Sequence, residues 1–273
     1  MELKKITFIG AGNMASSLIG GLLQDGYEKA YLLASDPSDE NRAKMQQQFA
    51  INTQTNNAEA VAWAEVIVLA VKPQIMAAVC QDIVDQGVDL SGKLFVSIAA
   101  GISVARLQGI LGDVPLVRTM PNTPALLQLG MTGLFASTQV NDSDKTFAGD
   151  LMAAVGKTVW VEDEAKINGI IAASGSAPAY FFLFMEAMEQ TAIEMGFTPE
   201  QARLLVQQSA LGSAQMVVQN PDLDLATLRT NVTSKGGTTA EAVRTFNEQG
   251  LADIVKQAMT AAAERGAQME QLF

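Results

Sequence analysis

Ile6-Thr7-Phe8-Ile9-Gly10-Ala11-Gly12-Asn13-Met14-Ala15 is the stretch that decides the architecture. A short apolar run leads into a glycine turn, and an apolar-periodic segment follows at once, which predicts strand, turn and helix. In a G-x-G-x-x-A turn the first glycine reverses the chain and the second lets the backbone approach a pyrophosphate. The third small residue, here Ala15, lets helix and strand pack closely. Free N–H groups and the positive end of the helix dipole then receive the phosphates. Gly10, Gly12, Asn13 and Met14 are therefore candidate cofactor contacts.

Downstream of this unit, strand-like runs alternate with helical patterns as far as residue 162. The runs are Ala30 to Ala34, Val66 to Val71, Leu94 to Ala99, Leu116 to Met120, Met131 to Ala136 and Thr158 to Val161. Such alternation predicts an α/β domain of Rossmann type, a doubly wound parallel sheet over residues 1–162. Val66 to Val71 has no polar face, as a central strand covered on both sides requires. After Glu162 the strand signals stop. Apolar-periodic segments at Lys166 to Met195, Pro199 to Gln219, Leu225 to Asn231, Thr239 to Asn247 and Leu251 to Leu272 predict an all-helical domain over 163–273. Thr198-Pro199-Glu200-Gln201 reads as a helix start, with a hydroxyl cap, proline at the first position and Gln at the third. The segment from Ala179 to Met195 is more apolar than a helix with one solvated face needs. Burial against another subunit accounts for that; a central helix within the monomer is the alternative, although five helices give limited material to surround it.

Composition narrows the chemistry. The chain has 273 residues, 48% hydrophobic and 17% charged, as expected for a folded globular protein. Its net charge of −11 supplies no basic stripe for nucleic acid. The apolar run behind the charged start Met1-Glu2-Leu3-Lys4-Lys5 is too short for a signal peptide, and no later run reads as a membrane span, so cytoplasmic residence is expected. The single cysteine, Cys80, has no partner for a disulfide or zinc cluster and reads as a core residue. There is no histidine, which removes the usual general base and metal ligand and every Ser-His or Cys-His system. No metal site is expected.

In an open parallel sheet, ligands bind beyond the carboxyl ends of the strands. Lys72-Pro73, Ala99-Ala100-Gly101 and Met120-Pro121-Asn122-Thr123-Pro124 stand at such ends. Each is an ordinary turn when read alone; together they suit a nicotinamide ring and its ribose. A second constellation, Ser234-Lys235-Gly236-Gly237-Thr238-Thr239, runs into a helical pattern. It offers several N–H donors and hydroxyls to a carboxylate or phosphate, unless it is a simple capped joint.

The chain resembles the pyrroline-5-carboxylate reductases of proline biosynthesis. The resemblance rests on Phe8 to Ala15, Ala70-Val71-Lys72-Pro73, Ser97-Ile98-Ala99-Ala100-Gly101, Met120 to Ala125, Gly175-Ser176-Ala177-Pro178-Ala179-Tyr180 and Gly236 to Thr239 followed by Glu241-Ala242-Val243. It implies an NAD(P)H-dependent imine reductase that converts 1-pyrroline-5-carboxylate to L-proline. It also implies a Rossmann domain and an interlocking helical dimerisation domain, as a dimer or an assembly of dimers. Under it, Ser234, Gly236, Gly237 and Thr238 bind the substrate carboxylate and Thr239 faces the ring nitrogen as the catalytic group. Gly10, Gly12, Asn13, Met14, Ser35, Asp36, Asn57, Val71, Lys72, Pro73, Ala99, Gly101, Met120, Pro121 and Asn122 hold the cofactor.

Two positions depart from the family pattern. Ser35-Asp36-Pro37 stands where many relatives have a serine and polar residues, often with an arginine for the 2′-phosphate of NADP. Asp36 falls about 24 positions after Gly12, near the place of a ribose-gripping carboxylate. If Asp36 points at the ribose it repels a 2′-phosphate; if it faces solvent, Ser35 and Ser38 can hydrogen-bond that phosphate. NADP(H) is the expected cofactor, with NAD(H) as competitor. Lys235 replaces a usual proline and leaves the glycine loop less stiff. Two other classes remain to be weighed. A β-hydroxyacid dehydrogenase needs a catalytic lysine, for which Lys166, Lys235 and Lys256 are the helical-domain candidates. A dinucleotide-binding module without catalysis is the other.

Overall fold

The computed structural model describes residues 1–272. Eight strands form one sheet: β1 Ile6–Ile9, β2 Leu32–Ser35, β3 Asn52–Gln54, β4 Val66–Leu69, β5 Leu94–Ser97, β6 Leu116–Met120, β7 Gly130–Ala136 and β8 Gly156–Trp160, in the order β3-β2-β1-β4-β5-β6-β7-β8. The helices are α1 Asn13–Gln24, α2 Asp39–Phe49, α3 Asn57–Trp63, α4 Pro73–Asp85, α5 Val104–Leu111, α6 Asp142–Ala153, α7 Lys166–Ile170, α8 Ala177–Glu194, α9 Pro199–Gln219, α10 Leu225–Asn231, α11 Thr238–Glu248 and α12 Leu251–Leu272.

β1 pairs in parallel with β2 (Ile6 to Leu32, Ile9 to Ser35) and with β4 (Ile6 to Val66, Ile9 to Leu69). The strand order therefore reverses at β1, and this switch point opens a crevice at the strands' carboxyl ends. Alternation sends Ile6 and Phe8 into one core layer with Leu18 and Ile19, and Ile9 into the other with Ile67, Leu69 and Met76.

Three features differ from the sequence reading. β3 is an additional strand: Asn52-Thr53-Gln54 has no apolar run to announce it and is held at the sheet edge by its pairing with β2. The sheet is not parallel throughout, because β7 runs antiparallel to β6 (Val117 to Ala136, Met120 to Gly133) before β8 resumes parallel to β7. The link over 121–129 is too short for a crossover, so the chain must return antiparallel. The expected helix from Lys166 to Met195 is broken by a π-helical turn at Ile171–Gly175.

The chain separates into two compact units: Met1–Ser176 with the last helix from Ala261 onward, and Ala177–Thr260. By compactness the division falls at Ser176, with α7 on the sheet side of it. α7 stays with the sheet because Ile170 seats against Gly133 of β7, leaving no space there for a side chain. The second unit is helical. Its longest apolar element, α8, has no buried residue: Phe181, Phe182 and Leu183 are each more than 60% exposed. By length and composition alone, the helical path Lys166–Glu194 is long and apolar enough to cross a membrane, contrary to the sequence expectation. It carries Lys166, Glu186, Glu189 and Glu194 along the way.

Candidate functional site

The glycine turn lies at the switch point. Gly10 takes φ +100°, and its N–H donates to the Ser35 carbonyl at 2.7 Å. A Cβ there would lie 2.8 Å from the Ala70 carbonyl oxygen, so β1 and the end of β4 approach closely only because the residue is glycine. Gly12 is the N-cap of α1; no side chain caps the helix and no acidic residue sits in its first turn. A Cβ on Gly12 would meet nothing within 4 Å. Open space before uncapped N–H groups fits a pyrophosphate. Asn13 is exposed beside it, and Met14 is half-buried.

Asp36 is occupied. Its Oδ2 accepts from the Ala11 N–H at 2.8 Å and from Asn41 Nδ2 at 3.2 Å, and its Oδ1 accepts from the Ser38 N–H at 2.9 Å. The carboxylate is turned into the glycine turn and fastens it to the end of β2. Neither orientation considered from sequence describes it, since Asp36 is only 8% exposed. Ser35 is buried and donates to Asn57 Oδ1 at 2.7 Å, which brings these two expected cofactor residues together. Arg42, which the sequence reading did not single out, donates to the Asp36 carbonyl at 2.6 Å and also pairs with Asp39. A cation one helical turn into α2 was the available signal.

At the end of β4, Val71 is half-buried, Lys72 is the exposed N-cap of α4, and Pro73 is its first residue; no side chain caps this helix either. Ala99 and Gly101 are buried beyond β5. Gly101 has φ +73°, and a Cβ on it would fall 2.6 Å from Met269 Cβ, so α12 already explains this glycine. At the end of β6, Met120 is half-buried and packs over Gly175, while Pro121 is buried. Asn122 is committed to the fold. Its Nδ2 donates to the Ser174 carbonyl (3.1 Å) and Oγ (3.2 Å), and its Oδ1 accepts from the Met131 N–H (2.9 Å). That bracket joins β6, β7 and the π-turn, an irregularity of the kind that recurs at functional sites.

The other constellation belongs to the helical unit. Gly237 is the N-cap of α11, again without a side-chain cap, and its N–H donates to the Ser234 carbonyl at 3.0 Å. A Cβ on Gly237 would come 2.5 Å from Ser234 Oγ, so the hydroxyl sits directly over the turn. Ser234, Gly236, Thr238 and Thr239 are exposed within the single chain, as is Lys235. The donors at the α11 start suit a carboxylate. Lys166 and Lys256 are exposed.

Also unforeseen is a buried ionic cluster. Arg118 on β6, 1% exposed, donates through Nη1 to Glu164 Oε1 at 2.8 Å and through Nη2 to Glu270 Oε1 at 2.7 Å. Only coordinates could join residues so far apart in sequence. Cys80 is buried, which pushes its thiol up to about 12 and leaves it unreactive. Among the described residues no group of three or more His, Cys, Asp or Glu could hold a metal ion.

A switch-point crevice with a glycine turn and an uncapped helix start, in a chain whose second unit is helical, marks the class of nicotinamide-dependent oxidoreductases of Rossmann type. The comparisons with known proteins agree. Residues 5–101 match the family described as NADP oxidoreductase, coenzyme F420-dependent, and residues 164–269 match pyrroline-5-carboxylate reductase dimerisation. The chain is 57% identical to the pyrroline-5-carboxylate reductase of Vibrio alginolyticus, with all of both chains covered. Among solved structures, it is similar to that of Coxiella burnetii pyrroline-5-carboxylate reductase: TM-score 0.92, 37% identity, 98% of this chain and 99% of that one. The Plasmodium falciparum pyrroline carboxylate reductase, solved with NADP bound, gives a TM-score of 0.86 at 30% identity over 99% of each chain. The chain belongs to the pyrroline-5-carboxylate reductase family. The dimerisation match accounts for the bare apolar surface of α8 as that of a homo-oligomer.

Proposed function

We infer that the chain reduces 1-pyrroline-5-carboxylate to L-proline with NADPH, NADH being the weaker donor, as a homodimer or an assembly of dimers in the cytoplasm. The single observation that carries the reading furthest is the pairing of one uncapped helix start behind a switch-point glycine turn with another behind the Ser234 to Thr239 loop. The first fits a dinucleotide pyrophosphate and the second a small carboxylate.

The nicotinamide supplies a hydride when bound. A protonated cyclic imine accepts hydride readily, so this chain has mainly to hold reactants and a proton in place. Gly10, Gly12, Asn13 and Met14 seat the pyrophosphate. Val71, Lys72, Pro73, Ala99, Met120 and Pro121 border the nicotinamide end, with Gly101 and Asn122 shaping that border through Met269 and Ser174. Ser234, Gly236, Gly237 and Thr238 bind the carboxylate. Thr239 donates to the imine nitrogen, directly or through water, which orients the proton without requiring a histidine.

The inward turn of Asp36 supports NADPH. Its carboxylate already receives three donors, so it is not free to grip a ribose diol, and Arg42 lies on the Asp36 carbonyl with Ser38 capping α2. A guanidinium, shared here with Asp39, and a neighbouring hydroxyl suit a 2′-phosphate. The test mixes purified protein with the imine and follows nicotinamide absorbance, with NADPH and NADH in parallel. Imine-dependent oxidation, faster with NADPH, is expected. Absence of oxidation with either cofactor overturns the assignment, and faster turnover with NADH overturns the reading of Asp36.

A further inference from the structure

We propose that Arg118, Glu164 and Glu270 form a positioning cluster that sets the loop between β5 and α5, the loop that borders the nicotinamide in the reading above, on which this inference rests. The loop is gripped at two points. Within it, Gly101 packs against Met269 with no room for a side chain. At its close, the Val104 N–H donates to Glu164 Oε1 at 2.8 Å. Both grips lead to one guanidinium: the same Glu164 oxygen accepts from Arg118 Nη1, and Glu270, next in sequence to Met269, accepts from Arg118 Nη2.

A buried guanidinium shared by two carboxylates has a fixed fork geometry, so it transmits position as well as charge. Asn168 of α7 reinforces it by donating to Glu270 Oε1 at 3.3 Å. The last turn of α12 thus serves as a strut behind a strand-end loop of the cofactor crevice. Loop displacements of an ångström suffice to spoil alignment of reacting groups.

The experiment uses the full chain and reads NADPH affinity by fluorescence titration, with thermal midpoints alongside. In Glu270→Gln the side chain keeps its size and loses its charge. The expected result is an NADPH Kd raised about tenfold and a lowered kcat, with the KM for the imine unchanged within about twofold. Met269→Ala, which empties the space beside Gly101 and spares the ion pairs, moves Kd in the same direction and serves also if Glu270→Gln fails to fold. Ile83→Val, in the core at the far end of α4, provides a general loosening control. Kd values within twofold of the parent in both test variants overturn the proposal whatever the midpoints do, as does an equal rise in Ile83→Val. A parent protein that binds NADPH yet fails to oxidise it with the imine sinks the assigned reaction and leaves the Kd test intact. One that binds no nicotinamide overturns both.

Discussion

Every one of the four residues of β4 is buried inside the chain, whereas α8, also strongly apolar, buries none of its eighteen. The sheet-bearing unit closes its core on both faces with its own helices, so its apolar pattern and its burial agree. The helical unit leaves Phe181, Phe182, Leu183 and Met195 in solvent as a single chain, well beyond what a finished surface carries. An apolar run is therefore a statement about eventual burial, and the partner it names can be another copy of the same chain.

The largest effect expected breaks this comparison at α8. Phe182→Glu places a charge on a face that must be covered, so the assembly should dissociate in analytical ultracentrifugation and imine-dependent turnover should fall to background. NADPH titration should be nearly unchanged, since the crevice lies in the other unit. If the variant stays assembled and active, α8 is not the covered face.

Arg118→Met attacks the opposite region. It strands Glu164 and Glu270 and should lower stability by about 3–5 kcal/mol in denaturant unfolding. Arg244, which also pairs with two carboxylates but on the open surface of α11, should give no measurable shift when changed to Ala. Equal losses at both positions would mean that burial does not separate the two ion clusters.

Much of the sheet was legible because its period is local. Ile6 to Ile9 and Leu116 to Met120 have the expected limits, and the glycine turn falls at the switch point. Three-residue β3 was not legible, since a polar edge strand exists only through its pairing. The π-turn is tied to β6 by Asn122 reaching Ser174, and the cluster of Arg118 joins positions up to 152 apart; neither contact is local. Residues near a ligand in the family pattern also carry structural duties that no motif displays: Asp36 fastens Ala11, and Gly101 makes room for Met269.

Thr239→Ala sharpens the comparison, because the loop at α11 should matter for turnover and not for the dinucleotide. Removing one hydroxyl should slow kcat by about ten- to a thousandfold through lost positioning of the imine proton, with NADPH affinity unchanged. A loss no greater than about twofold would take Thr239 out of the mechanism.

The smallest effect concerns cofactor choice at Asp36. A carboxylate aimed at the ribose would meet a 2′-phosphate at about 4 Å, where an effective dielectric of 20 gives about 4 kcal/mol per unit charge, so neutralising it would shift the NADPH to NADH ratio by orders of magnitude. A carboxylate whose charge is already met by three N–H donors presents little of it to the ribose, and the expected difference is roughly 0.5 kcal/mol, or about twofold. The three donors on Asp36 select the second case. Asp36→Asn should accordingly change the kcat/KM ratio for the two cofactors by about twofold. It should also lower stability by about 1–3 kcal/mol, because the new amide sets N–H against the Ala11 or Ser38 N–H. A large ratio change with little loss of stability would place the carboxylate at the ribose after all.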